Sequence, residues 1–346
     1  MITVPNPFLI VLLLSGCFVL GGCASSGGSQ AGRIDGEYKR MLENQKQYAH
    51  ATVAEETKVK MPEPTAQSCE SLGDRYVIDG KNVKALMEYT KALELEPASI
   101  NVRYKMGRVL LRQRLPVDAL QQFEEVVRRD PSNPLGYYGK SLVYIGQNDL
   151  EKSEENLEKT VKIDSTLWQA HALLGLVCDL KKQHARAVEQ YEKTLVLNPR
   201  SAAVYNNLGI SLYSLRDYDR AVDAFRSALR LDPENTKAAN NLGLALYSAG
   251  RHQQAFEAFK KGRNEAVAYH NMGYLYMMEH SYDKSLESFQ KAIDTSPTFY
   301  VKASENLERV KAAKSGLRKG ANGENSKMEK WEAEKNRWEM GDRPAG

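Results

Sequence analysis

The sequence is poor in the residues on which enzyme chemistry concentrates. It has four cysteines and six histidines in 346 residues. The histidines are His50, His171, His184, His252, His270 and His280, and they form no HExxH and no close pair. A helical two-histidine zinc site is therefore excluded. Cys69 and Cys178 are far apart without CxxC spacing, and Cys17 and Cys23 lie in an apolar N-terminal stretch, which excludes zinc ribbons and a disulfide framework. No Lys/Arg run is longer than two residues, and 48 basic side chains against 44 acidic ones leave a net charge of only +4. Without a basic stripe there is nothing to hold a nucleic-acid backbone. Gly139-Lys140-Ser141 matches the end of a phosphate-binding loop. That loop needs a glycine where Pro134 stands, and a strand before it where the pattern here is helical. His171, Cys69 and Cys178 occupy packing positions of helices. No catalytic group, metal or cofactor is expected, and the acidic residues read as solvated helix faces.

Residues Pro7 to Leu20 are almost wholly apolar. The run is shorter than the roughly 20 residues of a confident membrane span and fits the apolar region of a secretory signal. Leu14-Ser15-Gly16-Cys17 and Leu20-Gly21-Gly22-Cys23 both resemble the bacterial lipoprotein signal. Cys23 is the preferred lipidation site, with Cys17 as the alternative, because Phe18-Val19-Leu20 continues the apolar run. Ala24-Ser25-Ser26-Gly27-Gly28-Ser29, after Cys23, reads as a flexible tether. The resemblance implies an acylated N-terminus, and more than one buried chain makes anchoring stable. Ala24, where inner-membrane lipoproteins of this type carry Asp, implies the outer membrane with the protein facing the periplasm.

The body of the chain is periodic. Gly73, Gly107, Gly175, Gly209, Gly243 and Gly273 follow a 34-residue period with one interval skipped and one shortened. Ala85, Ala119, Ala187, Ala221 and Ala255 sit 12 residues after these glycines, and Tyr89, Phe123, Tyr191, Phe225, Phe259 and Phe289 sit 16 after. Pro97, Pro131, Pro199, Pro233 and Pro297 come 24 after the glycine position, where the missing N–H and the restricted preceding residue stop a helix. This pattern resembles the tetratricopeptide repeat family. The resemblance implies an all-α fold, a right-handed superhelical array of antiparallel helix pairs (A and B).

Units begin near Ala66, Ile100, Pro134, Trp168, Ala202, Thr236 and Ala266. Unit three is worn, with Ser141, Ser153, Leu157 and Ser165 in place of the Gly, Ala, aromatic and Pro, and it is still expected to be helical. Unit six is four residues short, and Gly262 is expected to cap its second helix. The expected organisation is a signal peptide over 1–22, a tether and N-terminal helix over 23–65, seven repeats over 66–299, a capping helix over 300–314 and a flexible tail over 315–346. Arrays of this kind need a cap because each unit buries its apolar face only on its neighbours. A short helix over 326–340, carrying Met328, Trp331 and Trp338, is marginal alone.

In the family, helix A lines a groove with its second, fifth, ninth and twelfth positions. Carried across, these positions give Tyr104, Arg108, Tyr138, Leu142, Ile145, Leu176, Asn206, Tyr213, Asn240, Tyr247, His270 and Tyr274 as candidate partner-binding residues. The middle is apolar and suits an amphipathic or extended peptide. The Lys/Asn/Arg clamp that some relatives use for C-terminal carboxylates is absent, since Glu70, Tyr104 and Tyr138 stand where a clamp lysine would be.

Lipobox, tether and repeat array together resemble TadD-type lipoproteins of tight-adherence pili and the PilF/PilW pilotins of type IV pili. The resemblance implies a non-enzymatic outer-membrane scaffold that supports assembly of a pilus or secretion secretin through protein contacts. Two alternatives are an NlpI-like periplasmic adaptor for cell-wall hydrolases or proteases, and an accessory subunit of a periplasmic enzyme.

Overall fold

Helix pairs build the chain, and the sequence marks both ends of most helices. A computed structural model describes Arg40, residues 63–296 and residues 301–319. Cys17, Cys23, the tether, Pro297 and the expected helix over 326–340 lie outside the described residues. Fifteen helices are delimited among the described residues, with no strand. The first helices of the pairs are α1 (Ala66–Ile78), α3 (Ile100–Arg112), α5 (Pro134–Gly146), α7 (Trp168–Leu180), α9 (Ala202–Ser214), α11 (Thr236–Ser248) and α13 (Glu265–Met278). Their partners are α2 (Asn82–Leu95), α4 (Pro116–Arg129), α6 (Leu150–Ile163), α8 (His184–Leu197), α10 (Tyr218–Leu231), α12 (His252–Gly262) and α14 (Tyr282–Thr295), followed by α15 (Val301–Lys319). The chain divides into two compact units, one up to Val204 and one from Tyr205. Within each unit, consecutive helices pack on one another, as α1 on α2, α5 on α6 and α13 on α14.

Local chemistry accounts for these boundaries. Thr65 caps α1 through a reciprocal box with Ser68. Ser99, Asn133, Asp149, Asp217, Asn235 and Asn264 accept hydrogen bonds from the first turns of their helices, so N–H groups that lack helical partners are satisfied. Each turn from A to B places one residue at positive φ: Gly80, Arg114, Asn148, Lys182, Arg216, Gly250 or His280. The amide that follows it donates back into helix A, as from Lys81 to Tyr76 and from Gln183 to Cys178, which is the Schellman termination. Unit three has no proline after α6. Its helix still stops there, at Asp164, which accepts from the backbone and hydroxyl of Thr166, the same Asx-type turn that Asp130 makes with Ser132 after α4.

The pairs pack through one contact repeated along the chain. The glycine of helix A faces the aromatic of helix B, and a Cβ at Gly107 would stand 2.6 Å from the Phe123 ring. Tyr89 and Tyr191 fill the same slot, and both hydroxyls are bound by aspartates, Asp74 at 2.7 Å and Asp179 at 3.1 Å. A buried tyrosine needs such a partner. Worn unit three compensates differently. Leu157 is fully buried, Ser153 donates to the Ser141 carbonyl at 3.3 Å, and Gly136 and Gly139 nest on α4, so that Phe123 meets Gly139 as well as Gly107.

Two expectations are corrected. Gly262 does not cap α12. It is the last helical residue, and the cap is Arg263 with φ −155°. Gly262 is needed for close approach instead, since a Cβ there would meet Ala239 and Asn240 at 3.2 Å. The final helix runs past Lys314 to Lys319, because no proline interrupts the pattern there. Ala303, Leu307 and Val310 of this helix are buried with Phe289 and Met277.

Candidate functional site

The first helices of the pairs that lie wholly within the first unit are α1, α3, α5 and α7. α5 packs on both α4 and α6, and also against α3, which decides how much of each predicted side chain stays accessible. Arg108 is exposed, while Tyr138, Leu142 and Leu176 are half-buried. Tyr104 retains 8% of its surface. Its ring lies 5.8 Å from Phe123, and the Arg108 guanidinium is 5.9 Å from its centroid. Tyr138 packs on the same cluster, and burial raises both phenols above their ordinary values, with the positive charge of Arg108 opposing. Ile145 is a correction. It is 0% exposed, because the twelfth position of α5 turns into the helix stack, and it is core. Tyr104 is corrected in part, since it is almost wholly buried.

In the second unit the predicted residues are largely used by the fold. Asn206 accepts a hydrogen bond from Asn241 at 2.9 Å, and Tyr213 bonds Ser248 at 3.1 Å. The Asn240 oxygen lies against Gly262. Tyr247 is 5% exposed, donates to Glu279 at 2.6 Å and meets His252 and Tyr276 edge-on. Its pKa is raised by burial and then by the Glu279 bond. Tyr247 is therefore core, another correction. His270 bonds Asn306 of α15 at 3.2 Å, and its ring lies tilted against Phe289 with centroids 5.6 Å apart. Tyr274 packs on the cluster that contains Leu307 and Val310. Both face the terminal helix and not an open surface, because the fifth and ninth positions of the last pair are where α15 docks. Reading groove positions by register alone could not show this.

Elsewhere in the first unit, a cavity of about 430 Å³ is lined by Val161, Lys162, Ser165, His171, Lys193, Val196 and Leu197. His171 is held in its wall by Gln190 at 2.8 Å and the Ser165 carbonyl at 3.1 Å, which makes it a structural member. Glu154 receives Lys181 at 2.6 Å and also Arg186. Burial pushes its carboxyl up, and these bonds overcome that and hold it below its ordinary value. Burial pushes the Cys178 thiol up to about 11, so it is held protonated and unreactive. Among the described residues no group of three or more His, Cys, Asp or Glu could hold a metal, and no helix is long and apolar enough to cross a membrane.

Sequence reasoning did not single out Arg112. It lies one turn beyond Arg108 on α3, exposed, with its pKa lowered by burial and then by Arg108. The four-residue spacing of two arginines was the signal available.

Residues 104–167 and 206–269 match one tetratricopeptide repeat family, and residues 266–299 match a second. No match is found among the curated proteins. Among solved structures, MamA is 25% identical over 48% of this chain and 97% of its own, with a TM-score of 0.42. A thermophilic TPR protein of Thermus thermophilus is 22% identical over 53% of this chain and 99% of its own, with a TM-score of 0.44. YrrB, described as a TPR protein with an unusual peptide-binding site, is 20% identical over 64% of this chain and 97% of its own, with a TM-score of 0.44. The stretches 104–167 and 206–299 are tetratricopeptide repeats.

Proposed function

We propose that this chain is a lipid-anchored outer-membrane scaffold, held through Cys23 and facing the periplasm, that supports assembly of a pilus or secretion secretin by binding a protein segment on its helix-A surface. Tetratricopeptide repeats bind protein or peptide partners. The observation that carries the reading is the first unit's surface, where Tyr138, Leu142 and Leu176 keep apolar area accessible on packed helices. Rigid apolar positions of this kind suit a peptide whose own side chains supply the fit. The anchor and the assembly role rest on the lipobox-like Leu20-Gly21-Gly22-Cys23 and on the layout of signal, tether and array, a warrant by analogy.

Deleting the gene tests the role. Fewer secretin multimers or pili are expected, and normal multimers with normal pili would overturn it. Copurification of cell-wall hydrolases in place of secretin would move the reading to an adaptor. Metabolic labelling with palmitate tests the anchor: label lost in Cys23→Ala supports it, and label retained there but lost in Cys17→Ala moves the site.

A further inference from the structure

Helix α3 carries four cationic side chains, and they are treated differently. Lys105 is paired with Glu70 at 2.7 Å and Asp74 at 2.6 Å. Arg103 donates to the Pro97 carbonyl at 3.0 Å and to Gln122 at 3.4 Å. Arg108 and Arg112 have no carboxylate within ion-pair distance among the described residues. They are four positions apart, which puts them on one helix face about 5–6 Å apart at Cβ, where like charges destabilise. The acidic residues of α1 do not relieve them, because Glu70 and Asp74 are committed to Asn101, Lys105 and Tyr89.

The surroundings make this repulsion useful. Arg108 lies over Tyr104, and Tyr138 packs into the same cluster from α5. Leu142 follows one turn later on α5, half-buried. Arg108 therefore borders an apolar shelf, and Arg112 stands one turn farther along α3. The fork of an exposed guanidinium matches the two oxygens of a carboxylate.

We propose that the α3–α5 surface binds an acidic linear segment of a partner protein, with side-chain carboxylates on Arg108 and Arg112 and an apolar side chain on Tyr138 and Leu142. This rests on the reading that the helix-A surface binds a partner, and it adds the chemistry of that partner. Charge complementarity supplies the argument, since an anionic segment removes the Arg108–Arg112 repulsion that the fold leaves standing.

The test uses the full chain and three short fluorescein-labelled peptides that alternate Leu and Phe with Glu, Gln or Lys, read by anisotropy. The Glu peptide is expected to bind about tenfold or more tightly than the other two, and to weaken with salt. Arg108→Gln with Arg112→Gln should remove that preference with no loss of Tm, and Arg108→Lys with Arg112→Lys should keep part of it. Equal binding of the Glu and Lys peptides, or a preference that survives the double Gln variant, overturns the proposal. If the three peptides bind alike and Leu142→Asp abolishes binding, the groove stands and the charge claim falls. If none binds, both fall. Capture of phosphatidylglycerol vesicles without the Glu peptide would overturn it in favour of a lipid surface.

Discussion

Positive φ at five non-glycine residues recurs at the same turn, and it makes the backbone cost of each turn measurable. Gly80 has φ +73°, and a Cβ there would touch nothing within 4 Å. Gly80→Ala should therefore cost only the left-handed penalty, about 1–2 kcal/mol. Lys182 sits at the same turn of another pair with φ 59°. Lys182→Gly should raise stability by up to about 1 kcal/mol, because relief of that penalty exceeds the entropy lost to a more flexible unfolded chain. Urea denaturation reads both, and a neutral result in both would remove the backbone explanation. The glycines of helix A obey a different rule. Gly107→Ala drives a Cβ into Phe123 and should cost about 1–3 kcal/mol. Gly146 at the end of α5 has nothing within 4 Å, so Gly146→Ala should be neutral or slightly stabilising. Equal losses in the two variants would mean that helix propensity, and not contact with the ring, sets the glycine position. The glycine–aromatic spacing was legible in the sequence because one contact recurs at a fixed period. The compensation of unit three by Gly136 and Gly139 was not, because it comes from positions outside that period.

At the scale of the helix, what matters is which face a neighbour covers. The repeat register placed Arg108, Tyr138, Leu142 and Leu176 on the surface of the first unit. It misjudged Ile145 and Tyr247, which the stack buries. It also misjudged His270 and Tyr274, which meet α15. A consensus position describes an internal repeat, and the last pair presents that position to its cap. His270 makes the docking of α15 sensitive to pH. Burial lowers its pKa from the ordinary 6.5, the Asn271 bond opposes this and the charge of Lys302 adds to it. The unfolded chain therefore holds more proton between the folded value and 6.5, and stability is lost as pH falls through that window. Protonation would also set an N–H against the Asn306 amide that His270 Nε2 meets at 3.2 Å. Thermal melts at about pH 7.5 and about pH 5.5 should show a lower Tm in acid, with the difference reduced in His270→Gln. An equal acid loss in the variant would assign the effect elsewhere.

At the scale of the molecule, several buried or half-buried polar groups among the described residues hold helices together. Glu154 with Lys181 and Arg186, Asp74 with Tyr89 and Lys105, and Asp179 with Tyr191 and His184 tie one pair to the next or one helix to its partner. The helix-A surface of the first unit keeps Tyr138, Leu142 and Leu176 partly accessible beside the exposed Arg108 and Arg112, and the central claim is that this surface binds a partner. The most direct measurement pairs binding of the Glu-containing peptide with a thermal melt for Leu142→Asp in the full chain. The account predicts that binding is lost while Tm stays within about 4 °C of the parent, the shift that roughly 1 kcal/mol or less produces in a chain of this size. Undiminished binding, or loss of binding only together with loss of the fold, would contradict it.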